Sequence, residues 1–193
     1  MKKFLLALLL IVPACGFAPT PSVISKTSES LVRISFDFTD ADGEEVSQRC
    51  TGFKVGLTWV VTADHCIPPE DVKADTLVDG RPSRIVRHKG DLVLLEVPVD
   101  EKPILQVVKT DPPLGTPVTA IGYAWATSLH VFHRVVAGYQ QGWIIVDGAV
   151  APGMSGGPVI DESGKVVGLI QAASPLIGLN CPPKELRDLI AGK

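Results

Sequence analysis

Apolar residues recur along this chain in short runs separated by turn formers. LVRISFDF (31–38), CTGFKV (50–55), TWVVT (58–62), SRIVRH (83–88) and DLVLLEV (91–97) occupy the first half. PVTAIGY (117–123), HVFHRVV (130–136), GWIIV (142–146), GPVI (157–160) and KVVGLIQA (165–172) occupy the second. Runs this short, rich in Val and Ile and bounded by Gly, Pro, Asp or Asn, predict β-strands, and their number predicts an all-β sandwich or barrel. DESGK, between the last two runs, reads as a hairpin connection. Only the tail departs from this pattern. There Leu186, Leu189 and Ile190 share a helical face, with Pro183 near the start and Gly192 after the end, which predicts one C-terminal helix.

The N-terminus follows a different rule. Residues 1–14 carry Lys2 and Lys3, an apolar stretch Phe4–Val12, and Ala14 before Cys15. That stretch is far below the ~20 residues of a membrane-spanning helix and suits a secretory signal peptide. Val12-Pro13-Ala14-Cys15 resembles the bacterial lipobox, which implies lipidation of Cys15 and membrane association; plain signal-peptidase cleavage before Cys15 is the alternative. Residues 15–30, rich in Pro, Ser and Thr, read as a linker. Residues 31–193 form the expected folded domain, divided by the Pro-containing stretch Glu101–Pro113 into halves of about 31–100 and 104–193. The expected location is the bacterial envelope, lipid-anchored on the periplasmic or outer surface, or outside the cell.

Charge narrows the partners. Lys plus Arg number 18 against 21 Asp plus Glu, a net charge of −3, with no basic run to follow a phosphate backbone, so nucleic acid is not an expected partner. The four cysteines (15, 50, 66, 181) show no CxxC or CxxH spacing, and His130 and His133 lie three apart in a strand run, so neither metal nor cofactor is expected. Trp59, Trp125 and Trp143 are expected as core or rim aromatics.

Three blocks carry chemistry: Thr62-Ala63-Asp64-His65-Cys66, then Gly90-Asp91-Leu92, then Pro152-Gly153-Met154-Ser155-Gly156-Gly157. A serine hydroxyl is a poor nucleophile until a base takes its proton, and imidazole suits that role near neutral pH. A carboxylate on the other ring nitrogen fixes the tautomer and stabilises the imidazolium. His65, Asp91 and Ser155 match base, orienter and nucleophile. GMSGG also satisfies the GxSxG elbow of α/β-hydrolases, but there the histidine follows the serine, and histidines 65, 88, 130 and 133 all precede Ser155.

WVVTADHC, GDLVLLEV and PGMSGGPV resemble the His, Asp and Ser blocks of trypsin-like serine proteases, in the same order and over most of residues 31–190. The resemblance implies two six-stranded antiparallel barrels with the active site between them, a Ser-His-Asp endopeptidase acting on polypeptides, and an oxyanion hole from the N–H groups of Gly153 and Ser155. It also implies a Cys50–Cys66 disulfide beside His65, leaving Cys181 without a partner. The run from Asp147 to Ser155 is most similar to HtrA/Deg-type protease domains, yet only 38 residues follow Ser155, so no PDZ domain is expected. Met154 stands where cleavage-activated relatives carry an Asp, which argues against that mode of activation. Asp64 replaces a usual Ala and could raise the pKa of His65. The implied acyl-side pocket comprises Ala149, Val150, Pro152, Ile170 and Ala172; with Ala149 at its base, small or medium apolar residues are expected there, Asp147 being the nearest charge that could turn inward. The competing expectation is a catalytically silent pseudoprotease that binds peptides or partners in the same cleft.

Overall fold

The computed structural model describes residues 18–40, 42–125, 127–173 and 177–193. Cys15 and the expected signal peptide lie outside the described residues, as does the side chain of Ala172. No helix among the described residues is long and apolar enough to cross a membrane.

Helix α1 (Pro21–Glu29) comes first, where a linker was expected. Thr20 caps it by accepting the Val23 N–H (3.4 Å), and Pro21 opens its first turn. Its exit residue Ser30 accepts the Lys54 N–H at 3.0 Å, while Val23 and Ile24 pack on the core. Few apolar residues suffice because only Val23 and Ile24 of the helix pack against the core.

Strands β1 (Leu31–Thr39), β2 (Glu45–Lys54), β3 (Trp59–Ala63), β4 (Leu77–Val78), β5 (Arg81–Pro82), β6 (Arg84–His88) and β7 (Leu92–Glu96) form one sheet in the order β5-β4-β1-β2-β3-β7-β6. A short 3-10 turn, Asp64–Cys66, follows β3. Strands β8 (Pro117–Ala124), β9 (Ser128–Gln140), β10 (Trp143–Asp147), β11 (Pro158–Ile160), β12 (Val166–Ala173) and β13 (Ile177–Cys181) close into a six-stranded barrel. Helix α2 (Pro183–Ala191) ends the chain as its pattern predicted, with Gly192 as a left-handed cap.

The all-β, two-unit architecture is therefore the expected one, but the units differ. The C-terminal unit closes, whereas the N-terminal sheet stays open between β5 and β6 and has seven strands instead of six. Pro82 cannot donate to a ladder and β5 is two residues long, while exposed Arg84 and His88 mark the other edge.

The two units share a core. Leu92–Leu95 of β7 are all buried because one face meets the sheet interior and the other meets α2 and the second unit. Ile121, Ile160 and Leu169 enter that same cluster, while Val118, Ala120, Met154, Val159 and Ile170 fill the barrel interior. The connecting segment ties both together: the Leu105 N–H donates to Lys54 O (3.0 Å) and the Val108 N–H to Val166 O (2.9 Å). The surfaces carrying His65 and Ser155 are thus fixed relative to each other.

Candidate active site

His65 sits in the 3-10 turn after β3 and Asp91 just before β7, two paired strands in which Ala63 faces Leu92. That pairing brings residues 26 apart in sequence into contact. His65 Nδ1 lies 3.0 Å from both carboxylate oxygens of Asp91, and the His65 N–H donates to Oδ1 at 3.1 Å. The Asp91 backbone is held too: its carbonyl accepts the Asp64 N–H (3.2 Å) and the Gln171 side-chain amide (2.7 Å). Gln171, on β12, anchors the carboxylate's backbone from the opposite unit; its only sequence signal is a polar residue in an otherwise apolar run.

The hydrogen bond that the His65 ring donates to Asp91 holds the His65 pKa above its ordinary 6.5; partial burial opposes this, and the charges of Asp91 and then Asp64 add to it. The Asp64 carboxylate itself pairs with His88 Nδ1 at 2.5 Å. His65, Asp64 and His88 line a cavity of about 510 Å³ together with Phe36, Phe38 and Ile67. His130 lies edge-on to the exposed Trp125 ring, and His133 bonds Thr119, well apart from that cluster in the chain's second unit.

The Cys50–Cys66 disulfide joins the middle of β2 to the turn carrying His65, with Cα atoms 5.8 Å apart. Cys181 is a free, buried thiol whose pKa burial pushes far up.

Ser155 is held through its backbone. Its carbonyl accepts the Thr51 N–H at 2.9 Å, and Cys66 Sγ lies 3.7 Å from the same oxygen. No hydrogen bond links its Oγ to His65 Nε2, a contact that commonly tightens only around substrate. Around it every carbonyl from Ala151 to Ser155 is occupied. Ala151 O accepts Met154 N–H (3.2 Å), Pro152 O accepts Trp125 N–H (2.7 Å), Gly153 O accepts Thr51 Oγ1 (2.9 Å), and Met154 O accepts Gly157 N–H (2.9 Å). The N–H groups of Gly153 and Ser155 donate to no described group. Gly153 has φ +88°, which a side chain would strain. Gly156 must also be glycine: an added Cβ would lie 2.1 Å from Thr51 O and Thr62 Oγ1.

Of the expected pocket residues, Ala151 beside them and Ile170 are buried against Met154, and Ile170 pairs with the loop through Gly156 N–H to its carbonyl (2.7 Å). Ala149 and Val150 are half-buried, and Pro152 is exposed. Asp147 does not turn inward; its carboxylate accepts the Val135 N–H on β9. The Arg134 guanidinium donates to Ala149 O at 2.6 Å, placing a positive charge beside that wall.

Residues 50–169 match the trypsin-like peptidase domain family. A probable periplasmic serine endoprotease, DegP-like, of Hahella chejuensis is 28% identical over 140 residues, covering 65% of this chain. The chain spans 30% of that relative's length. The active form of the Rv3671c protease of M. tuberculosis superimposes with TM-score 0.71 at 19% identity, covering 99% of this chain and 92% of that one. The HtrA-type protease AlgW, with a tripeptide, gives 0.72 at 19% identity over 88% of this chain and 62% of that one. At such identities these two structures speak for the fold.

Proposed function

We propose that this chain, which belongs to the trypsin-like peptidase domain family, is a serine endopeptidase that works through His65, Asp91 and Ser155. The observation that carries the reading is the pair of unengaged N–H groups at Gly153 and Ser155, flanked by carbonyls that are all occupied. Two half-buried backbone donors with no described protein acceptor, one of them on the serine itself, suit a developing oxyanion.

In this mechanism Ser155 Oγ attacks the scissile carbonyl while His65 Nε2 takes its proton. Asp91, bonded to Nδ1, keeps that proton-accepting nitrogen free and stabilises the imidazolium. The Gly153 and Ser155 N–H groups hold the tetrahedral oxygen. His65 then gives its proton to the leaving amine, and water repeats the sequence on the acyl-enzyme.

The acyl-side residue is proposed to be small or medium and apolar. Ala151 and Ile170 offer aliphatic walls, Asp147 is engaged by the Val135 N–H instead of turning in, and Arg134 adds positive charge nearby. A substrate Lys or Arg would lose several kcal/mol by unpaired burial, whereas an aliphatic side chain gains about 1.5–3 kcal/mol. The periplasmic relative and the export-like N-terminus support a place in the cell envelope. Fractionation of the producing cell, with all of the protein in the cytosol, would refute that location.

A peptide-library cleavage profile of the wild type beside Ser155→Ala tests the function. The wild type should cut after Val, Ala, Leu or Ile, and Ser155→Ala should lose nearly all turnover. A profile dominated by Lys or Arg refutes the pocket. A wild type that neither cuts peptides nor reacts with a fluorophosphonate is instead a binding module.

A further inference from the structure

We infer that Thr51 is a positioning residue for the oxyanion hole: one side chain and its own backbone grip the carbonyls of both residues whose N–H groups form the hole. The inference rests on the endopeptidase reading above.

Thr51 is on β2 of the N-terminal unit and is wholly buried. Its N–H donates to Ser155 O at 2.9 Å, and its hydroxyl donates to Gly153 O at 2.9 Å. The hydroxyl's lone pair accepts the Tyr123 N–H at 2.9 Å, which fixes the direction in which its proton points. The Thr51 carbonyl is itself held by Thr62 Oγ1 at 2.7 Å. Every polar group of this residue is therefore engaged, across three segments that lie 11, 72 and 102 residues from it in sequence.

These contacts act on the hole through peptide geometry. In a planar trans peptide, C=O and N–H point in opposite directions, so holding a carbonyl sets the orientation of the plane. Trp125 N–H holds Pro152 O and so aims the Gly153 N–H away from Trp125. Thr51 Oγ1 then fixes the next plane through Gly153 O. Gly153, at φ +88°, has no side chain to restrain either plane, so external bonds must do it. Without the hydroxyl, the Gly153–Met154 plane, which links the planes carrying the Gly153 and Ser155 N–H groups, is held only by the Met154 N–H to Ala151 O (3.2 Å), and the two N–H groups lose their common aim.

Neighbouring glycines preserve room for this clasp. A Cβ at Gly122 would lie 3.0 Å from Thr51 Oγ1, and one at Gly156 would lie 2.1 Å from Thr51 O.

Thr51→Val keeps the shape and the backbone N–H but removes the hydroxyl, and Thr51→Ser restores it. Deleting an oxyanion donor outright costs about 10²–10³ in kcat, so misaiming one should cost about 10–100-fold. The expectation for Thr51→Val is that loss in kcat, with KM within about twofold and a matching fall in affinity for a peptide boronate, a tetrahedral mimic. Thr51→Ser should stay within about threefold of wild type. Rates are taken per folded molecule; should Thr51→Val not fold, Thr51→Ala asks for no added volume and carries the same comparison. Kcat and boronate affinity unchanged in the folded variant, or Thr51→Ser as impaired as Thr51→Val, overturn the inference while leaving the endopeptidase reading intact. A wild type without peptidase activity defeats that reading instead.

Discussion

Breaking the Cys50–Cys66 bond should cost stability and leave chemistry. The two cysteines are 16 residues apart. A closed loop of that size lowers the entropy of the unfolded chain by an amount worth about 3 kcal/mol at 25 °C. For a domain of this size, about 2–4 °C of Tm per kcal/mol gives a fall of about 6–12 °C. Both sulfurs are buried, at 4% and 0% residue exposure, so reduction keeps the packing volume, whereas Cys50→Ala with Cys66→Ala adds a cavity cost. Urea unfolding followed by tryptophan fluorescence, with and without reductant, measures the effect on the wild type, and the double variant should ignore reductant. The m-value should rise on reduction, because an uncrosslinked unfolded chain exposes more surface. Peptidase activity at 25 °C should largely survive, since His65 is held by Asp91 through its N–H (3.1 Å) and its ring (3.0 Å), not by the sulfurs. A stability loss below about 1 kcal/mol, or activity lost while the fold persists, would refute the reasoning.

The other expectations are compact. Activity needs neutral His65, so kcat/KM should rise with pH through a midpoint above 6.5, and Asp64→Asn should lower that midpoint by removing a raising charge; a midpoint at or below 6.5 counts against the assignment. Stability from the same pair runs the other way. A raised folded pKa gives a contribution fully present below 6.5 that fades as pH rises through the raised value. Asp100→Ala strips the partner from Lys54, whose side chain is 0% exposed and whose Nζ lies 3.1 Å from Asp100. Leaving that ammonium buried beside only Leu57 O should cost about 3 kcal/mol in urea unfolding, and a loss under about 1 kcal/mol would refute it.

Local pattern was enough for the strands that have one. Every run of five or more Val- and Ile-rich residues became a strand within a few residues of its expected ends, and DESGK became the hairpin in which Asp161 accepts from Ser163 and Lys165. The C-terminal helix was equally legible, because its stop signals and its apolar face lie within nine residues. The order of the His, Asp and Ser blocks was likewise a property of the chain alone.

What the sequence could not settle depends on partners far away in the chain. β4 and β5 are two residues long and show no period, and exist because β1 offers β4 an edge to pair with. β13 contains Gly178 and Asn180, which read as turn formers, yet both its neighbours in the barrel supply hydrogen bonds. α1 lacks an apolar stripe and is fixed by docking on β2. Closure of one unit and not the other turned on which edge strands could pair. Gln171 and Thr51 are ordinary polar residues in apolar runs until folding sets one against Asp91 and the other against Gly153 and Ser155. Residue type and order, which specify chemistry, are written along the chain; the aim of a backbone N–H is decided by what its peptide's carbonyl meets, and that exists only once the two units have packed.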